Sequence, residues 1–147
     1  MRGGKSARES LIRVLFPDES RALPGQRWIR IGLRTLHLIG VAGLGGAYLY
    51  EAAPHSWLPY FWLTMATGLL MVMLEVWSNA IWLLQIRGLA IVFKVLLLVA
   101  IALHDVAALP LILMVIAISG VIAHAPGNLR YYSPYHRRRL ERLSDAR

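Results

Sequence analysis

The sequence predicts an all-α integral membrane protein, a bundle of four transmembrane helices with both termini in the cytoplasm. Two observations lead to this fold class. The chain of 147 residues is 57% hydrophobic and only 16% charged, whereas a soluble domain carries about a quarter charged residues. The charges are also unevenly placed, because no Lys or Arg occurs between Thr35 and Ile86 or between Val95 and Leu129. The composition therefore indicates a membrane protein with basic ends.

Four apolar segments supply the predicted spans, at residues 31–50, 60–85, 89–103 and 106–125. The second is long enough to cross a hydrocarbon core of about 30 Å with some tilt. Ile86-Arg87-Gly88 predicts a tight turn after it, and His104-Asp105 separate the last two spans. The small residues of spans one and four, such as Gly43 and Ser119, let helix backbones approach closely and make both spans candidates for tight packing.

The spans divide the chain into three parts, a basic arm (1–30), the bundle (31–125) and a basic tail (126–147). In the arm, the stretch ESLIRVLF at 9–16 is compatible with a short helix lying on the membrane surface or with a disordered tether. In the tail, HAPGNLRYYSPYHRRR at 124–139 predicts an ordered exit that caps the bundle, because Pro and Gly end the last helix and the Tyr residues suit the head-group level.

The distribution of basic residues predicts the orientation. Eight of them lie between Arg2 and Arg34, Arg87 lies in the turn after span two, and six lie from Arg130 onward, whereas the loops EAAPHSWLP and HDVA have none. Lys and Arg concentrate on the cytoplasmic side, so an even number of spans places all these segments together. We expect a bacterial inner membrane protein whose basic ends meet anionic lipid head groups. The net charge of +8 then requires no nucleic acid partner.

A polar seam runs along span two. Glu75, Ser78 and Asn79 are spaced i, i+3 and i+4 and share one face, and polar residues on one stripe of a spanning helix normally face other helices. Lys94 of span three lies at a neighbouring depth and is a candidate ion-pair partner for Glu75. Side chains lean toward the N-terminus of their own helix, which separates these two. Asn79 or His37 is then the alternative partner of Glu75.

Two histidines form a second candidate site. His37 of span one and His124 at the end of span four both lie near the cytoplasmic interface, with Arg34 and Arg130 close by. Two imidazoles from two helices, with cations for the propionates, are what a b-type haem needs. The alternative is structural, with His124 interacting with the helix dipole and His37 bonding to a neighbour. The chain has no Cys, so covalent c-type haem, disulfides and iron–sulfur ligation are excluded, and no protein metal site is expected.

Three functions remain compatible with these features. The first is a subunit, accessory protein or anchor of a membrane complex, working with protein partner subunits; a homo-oligomer is the alternative assembly. The second is a b-haem electron carrier that uses His37 and His124. The third is a small proton- or cation-coupled transporter that uses Glu75 and Lys94. No nucleophile–base pair or phosphate loop is visible, so independent catalysis is not expected. We prefer the first function because it requires the fewest special features.

Overall fold

The structure, a computed structural model, describes residues 14–17, 19–103, 108–142 and 145. Its long helices are α1 (Gln26–Leu49), α2 (Leu58–Asn79), α3 (Ile86–Leu103) and α4 (Ala108–His124). Its short elements are the 3₁₀ segment η1 (Ala80–Leu84), the single turn α5 (Gly127–Arg130) and the strands β1 (Tyr132–Ser133) and β2 (Arg138–Arg139). The prediction of a mostly helical chain is confirmed. The stretch at 9–16 lies largely outside the described residues.

Helices α1 and α2 form the most extensive contact between elements of the described chain. Gly40 of α1 makes the close approach possible, because a Cβ atom there would lie only 2.9 Å from the backbone nitrogen of Thr64. Gly43, one turn further, lies against the ring of Tyr60 in the same way. The glycines of α1 therefore serve the contact with α2. Helix α1 also contacts α4, and a Cβ atom added at Gly45 would lie at an ordinary van der Waals distance of 3.7 Å from Cδ1 of Ile116.

The second apolar segment is not one continuous α-helix. At Asn79 the backbone is extended, with φ −172° and ψ 115°, and the Asn79 side chain accepts a hydrogen bond from the backbone N–H of Ile81. An Asn side chain competes well with helical backbone bonding, which is why it favours caps. The apolar residues that follow continue as η1, and three of them, Ala80, Ile81 and Trp82, are buried.

The turn into α3 depends on a second close approach. Gly88 lies directly against the backbone of Trp82 and Leu83, where a Cβ atom would overlap both. As a result, α3 packs on η1 as well as on α4. Among the described residues, α2 and α3 hardly contact each other, so the tight antiparallel hairpin expected of spans two and three is not formed by these two helices; α3 packs on η1 instead.

The carboxy-terminal segment folds back on the start of α3. Strand β1 pairs with β2 in antiparallel register, with Tyr132 opposite Arg139. The next residue, Leu140, is fully buried, and its carbonyl accepts a hydrogen bond from Nε2 of Gln85, which is also buried. The segment that follows α4, which the sequence predicted to be ordered, is thus a short β-hairpin that packs against the turn between η1 and α3.

Burial in the bundle is inverted relative to a soluble protein. Buried side chains on α2 include Thr64, Thr67 and Ser78, whereas large apolar side chains on the helices are exposed, among them Leu38 at 67%, Trp62 at 63% and Val121 at 66%. Among the described residues, one helical segment, Leu58–Leu84, is long and apolar enough to cross a membrane by length and composition, and Ala108–His124 is a shorter apolar helix.

Candidate functional site

Glu75 of α2 is paired with an arginine of α1. The Nη2 atom of Arg30 lies 3.0 Å from Oε1 of Glu75, and both side chains are partly exposed. Arg30 belongs to the segment that the sequence assigned to the basic arm, but α1 begins at Gln26 and therefore includes it. The partner of Glu75 is thus neither Lys94, nor Asn79, nor His37.

Ser78 and Asn79 hold the segment that precedes α1. We call residues 14–17 and 19–21 the amino-terminal strap. Ser78 donates from Oγ to the carbonyl of Arg21 at 2.7 Å, and the N–H of Arg21 donates to the Ser78 carbonyl at 3.0 Å. Nδ2 of Asn79 donates to the carbonyl of Pro17 at 3.2 Å. The seam therefore binds the strap where α2 ends.

A second polar layer lies deeper in the bundle and has a residue from each long helix. Nδ1 of His37 lies 3.1 Å from both the Thr64 carbonyl and Oγ1 of Thr67. Nζ of Lys94 donates to Oγ of Ser119 at 3.0 Å, which joins α3 to α4. The charge of Lys94 is within electrostatic range of His37. The hydrogen bonds of this layer join α1 to α2 and α3 to α4, whereas the interaction between Lys94 and His37 is repulsive.

The two imidazoles proposed as haem ligands have different surroundings. His37 is half-buried against α2 through the contacts above, whereas His124 is exposed in the last turn of α4, where a protonated imidazole suits the helix dipole. Arg34 is exposed on α1. The hydrogen bonds and ion pairs of the described residues do not bring His37 and His124 together, and the same residues hold no cluster of three or more His, Asp or Glu suited to a metal ion.

Three guanidinium groups gather around one aromatic ring at the arginine-rich end of the bundle. We call Arg87, Arg130, Arg139 and Tyr131 the arginine cluster. The Cζ atoms of Arg87, Arg130 and Arg139 lie 4.9, 5.8 and 5.3 Å from the centroid of the Tyr131 ring. Cations over an aromatic face are attracted by the ring quadrupole. The three arginines come from the start of α3, the end of α5 and β2, so the folded tail assembles the cluster.

The hydrogen bonds of the cluster leave positive charge unbalanced. Nε of Arg87 donates to the neutral amide oxygen of Gln85 at 2.5 Å, and Arg139 is paired with Glu141. Nε of Arg130 is buried without a hydrogen-bond partner among the described residues. Such unpaired buried donors are uncommon and require a physical reason.

The cluster also interacts electrostatically with the Arg30–Glu75 pair. Arg87 is within electrostatic range of Glu75, Arg30, Arg130 and Tyr131. Arg87 and Arg30 therefore interact with the same carboxylate of α2, and Arg87 also interacts with Arg130, at this end of the bundle. The chemistry that such a set supports is the binding of an anion, because guanidinium groups present forked donors to carboxylates and phosphates.

Sequence reasoning placed Arg130 near a possible cofactor but did not identify Arg30, Gln85, Arg87 or Tyr131 as members of a site. One signal was present, because Arg87 is the sole basic residue in the predicted turn and the tail brings arginines next to tyrosines. No family model, curated protein or solved structure matches the chain.

Proposed function

We propose that the chain is a four-span protein of the bacterial inner membrane, with both termini in the cytoplasm, and that it serves as a non-catalytic subunit or anchor of a membrane complex. The observation that carries the proposal is the inverted burial of the helices. Their outward faces are apolar, while the contacts between helices use glycines, hydroxyls, His37 and Lys94. In a bilayer, helices associate through small residues and interhelical hydrogen bonds, because apolar side chains gain nothing by leaving lipid.

The charge distribution supports the orientation. The arginine cluster and the Arg30–Glu75 pair lie at one end of the bundle, which also receives the strap and the tail. The loop from Glu51 to Trp57, at the other end of the α1–α2 hairpin, has no Lys or Arg. Basic residues are retained on the cytoplasmic side. This asymmetry supports a cytoplasmic arginine-rich end.

The topology is testable by single-cysteine labelling, for which a chain without native Cys is well suited. Ser56→Cys lies in the loop after α1, and Tyr135→Cys lies in the exposed turn between β1 and β2. With a membrane-impermeant maleimide, we expect Ser56→Cys to react in intact spheroplasts and Tyr135→Cys to react only after permeabilisation. Equal labelling of both variants before permeabilisation, or release of the protein by alkaline carbonate, contradicts the proposal.

The subunit role has its own test. We expect the protein, extracted in mild detergent from its native membrane, to migrate with a stoichiometric partner in native mass spectrometry. The helices expose enough apolar surface for contact with a second membrane protein, and the arginine-rich end offers charge complementarity to an acidic one. A preparation that contains only a monodisperse homomer counts against the subunit role and leaves the topology standing.

A further inference from the structure

We propose that the arginine cluster binds one phosphate group, that of an anionic phospholipid head group in the leaflet next to the arginine-rich end. The inference rests on the proposed membrane location and names a ligand for that end of the protein. It is carried by the assembly of three guanidinium groups around Tyr131 and by the unpaired Nε donor of Arg130.

Electrostatics gives the first argument. Three like charges within 5.8 Å of one ring centroid repel one another. A pair of unit charges near a protein surface interacts by several kcal/mol at about 4 Å, and by less at greater separations. Glu141 balances Arg139, and Glu75 is shared between its pair with Arg30 and its attraction for Arg87. Two carboxylates thus face four guanidinium groups, and Arg130 has no ion-pair partner among the described residues. A bound anion relieves this repulsion, so the folded tail creates affinity for one.

Donor geometry gives the second argument. The side chain of Arg87 is held by Gln85, and Gln85 is itself fixed by the carbonyl of Leu140. This arrangement orients a guanidinium that has further N–H donors beyond Nε. Arg130 contributes its Nε donor, which has no acceptor among the described residues. Oriented guanidinium forks bind the oxygens of a phosphate in a bidentate manner, whereas a single point charge does not select for it.

The surroundings of the cluster favour a lipid as the source of the phosphate. Leu129 is exposed directly before Arg130, and Leu89 and Val92 are exposed on the first turns of α3, just beyond Arg87. An anionic lipid whose phosphate contacts Arg87 and Arg130 places its acyl chains along that apolar surface. Basic pockets between helices on the cytoplasmic side bind lipid head groups in this manner.

The test uses the full chain, delipidated in detergent, and measures lipid binding by native mass spectrometry during titration with phosphatidylglycerol. We expect one lipid to bind with higher affinity than phosphatidylcholine does, and Arg130→Gln and Arg87→Gln each to weaken this binding roughly tenfold. Arg34→Gln is the control, because it removes the same charge from an exposed position on α1 outside the cluster. Arg130→Lys keeps the positive charge but removes the forked guanidinium donors, and we expect this variant to bind phosphatidylglycerol more weakly than the wild type.

Three outcomes overturn the inference. One is equal affinity for the two lipids, and another is the same loss of affinity in Arg34→Gln as in Arg130→Gln. The third is binding of inorganic phosphate without binding of phosphatidylglycerol, which assigns the cluster to a soluble ligand. Circular dichroism melts of each variant establish that it is folded. Because the titration is done in detergent, it is independent of orientation, so a failed labelling experiment and a failed lipid titration are distinguishable.

Discussion

Arg30 and Glu75 form an ion pair between α1 and α2, at 3.0 Å. The sequence had made Lys94 a candidate partner of this carboxylate. Lys94 instead donates to Ser119. The two charged residues of the predicted seam therefore belong to different helix contacts, the first to α1–α2 and the second to α3–α4. Each contact is open to a separate test.

A double-mutant cycle measures the first contact. We expect Arg30→Gln and Glu75→Gln to be coupled by roughly 0.5–1 kcal/mol, since the pair is partly exposed and solvent weakens it. Glu75→Gln and Lys94→Gln should instead be additive within about 0.3 kcal/mol. Unfolding in mixed detergent micelles, followed by circular dichroism, gives the free energies. A larger coupling with Lys94 than with Arg30 contradicts the pairing.

Gly40→Ala tests the close approach of α1 and α2. The added methyl group meets the Thr64 backbone, which cannot rotate away, so we expect destabilisation of about 1–3 kcal/mol. Gly46→Ala is the matched control, because a Cβ atom at this position in the same helix meets nothing within 4 Å. That variant should be neutral or gain up to about 1 kcal/mol from helix propensity. Equal effects of the two substitutions in the same unfolding assay exclude the contact.

Asn79→Ala tests the connection between the strap and the end of α2. The substitution removes both the acceptor for the Ile81 N–H and the donor to Pro17, and loss of a cap typically costs about 1 kcal/mol. We expect trypsin to cleave after Arg21 faster than in the wild type, because the strap is released. Ser119→Ala, which removes a hydroxyl far from the strap, is the control. An unchanged cleavage rate in Asn79→Ala means that the strap is held by other contacts.

Absorption spectroscopy tests the haem hypothesis. Because His37 is engaged by α2 and His124 is exposed, we expect protein purified from haem-supplied cells to show no Soret band, with or without dithionite. A Soret band with a sharpened α band on reduction, lost in both His37→Ala and His124→Ala, revives the electron-transfer function. Loss in neither variant indicates adventitious haem.

The sequence predicts the helices well, because long apolar segments separated by turn residues leave few alternatives. Their ends are less predictable. The start of α1 has no side-chain cap, and Gly25 precedes it with φ 71°, so nothing in the residue pattern distinguishes Arg30 in a helix from Arg30 in an arm. That boundary determined the partner of Glu75, which is why the candidate partners named from the sequence did not include Arg30.

The sequence does not predict the change to a 3₁₀ segment at Asn79, for a different reason. The residues AIWLL after it are as apolar as those before it, and apolar content alone does not separate an α-helix from a tighter one. The arginine cluster was hidden because its members are far apart in the chain. Arg87 and Tyr131 meet only after the tail has folded back, and no local periodicity encodes that contact.

The strap has a consequence for the order in which the chain becomes structured. Arg21 is synthesised 57 residues before Ser78, the residue to which its backbone is hydrogen-bonded. Until α2 has emerged, the backbone groups of Arg21 and the carbonyl of Pro17 lack the partners that Ser78 and Asn79 later supply, and they remain hydrated. The strap therefore binds the α1–α2 hairpin only after α2 has been synthesised. Protection of the strap from protease during synthesis reports when that hairpin has formed.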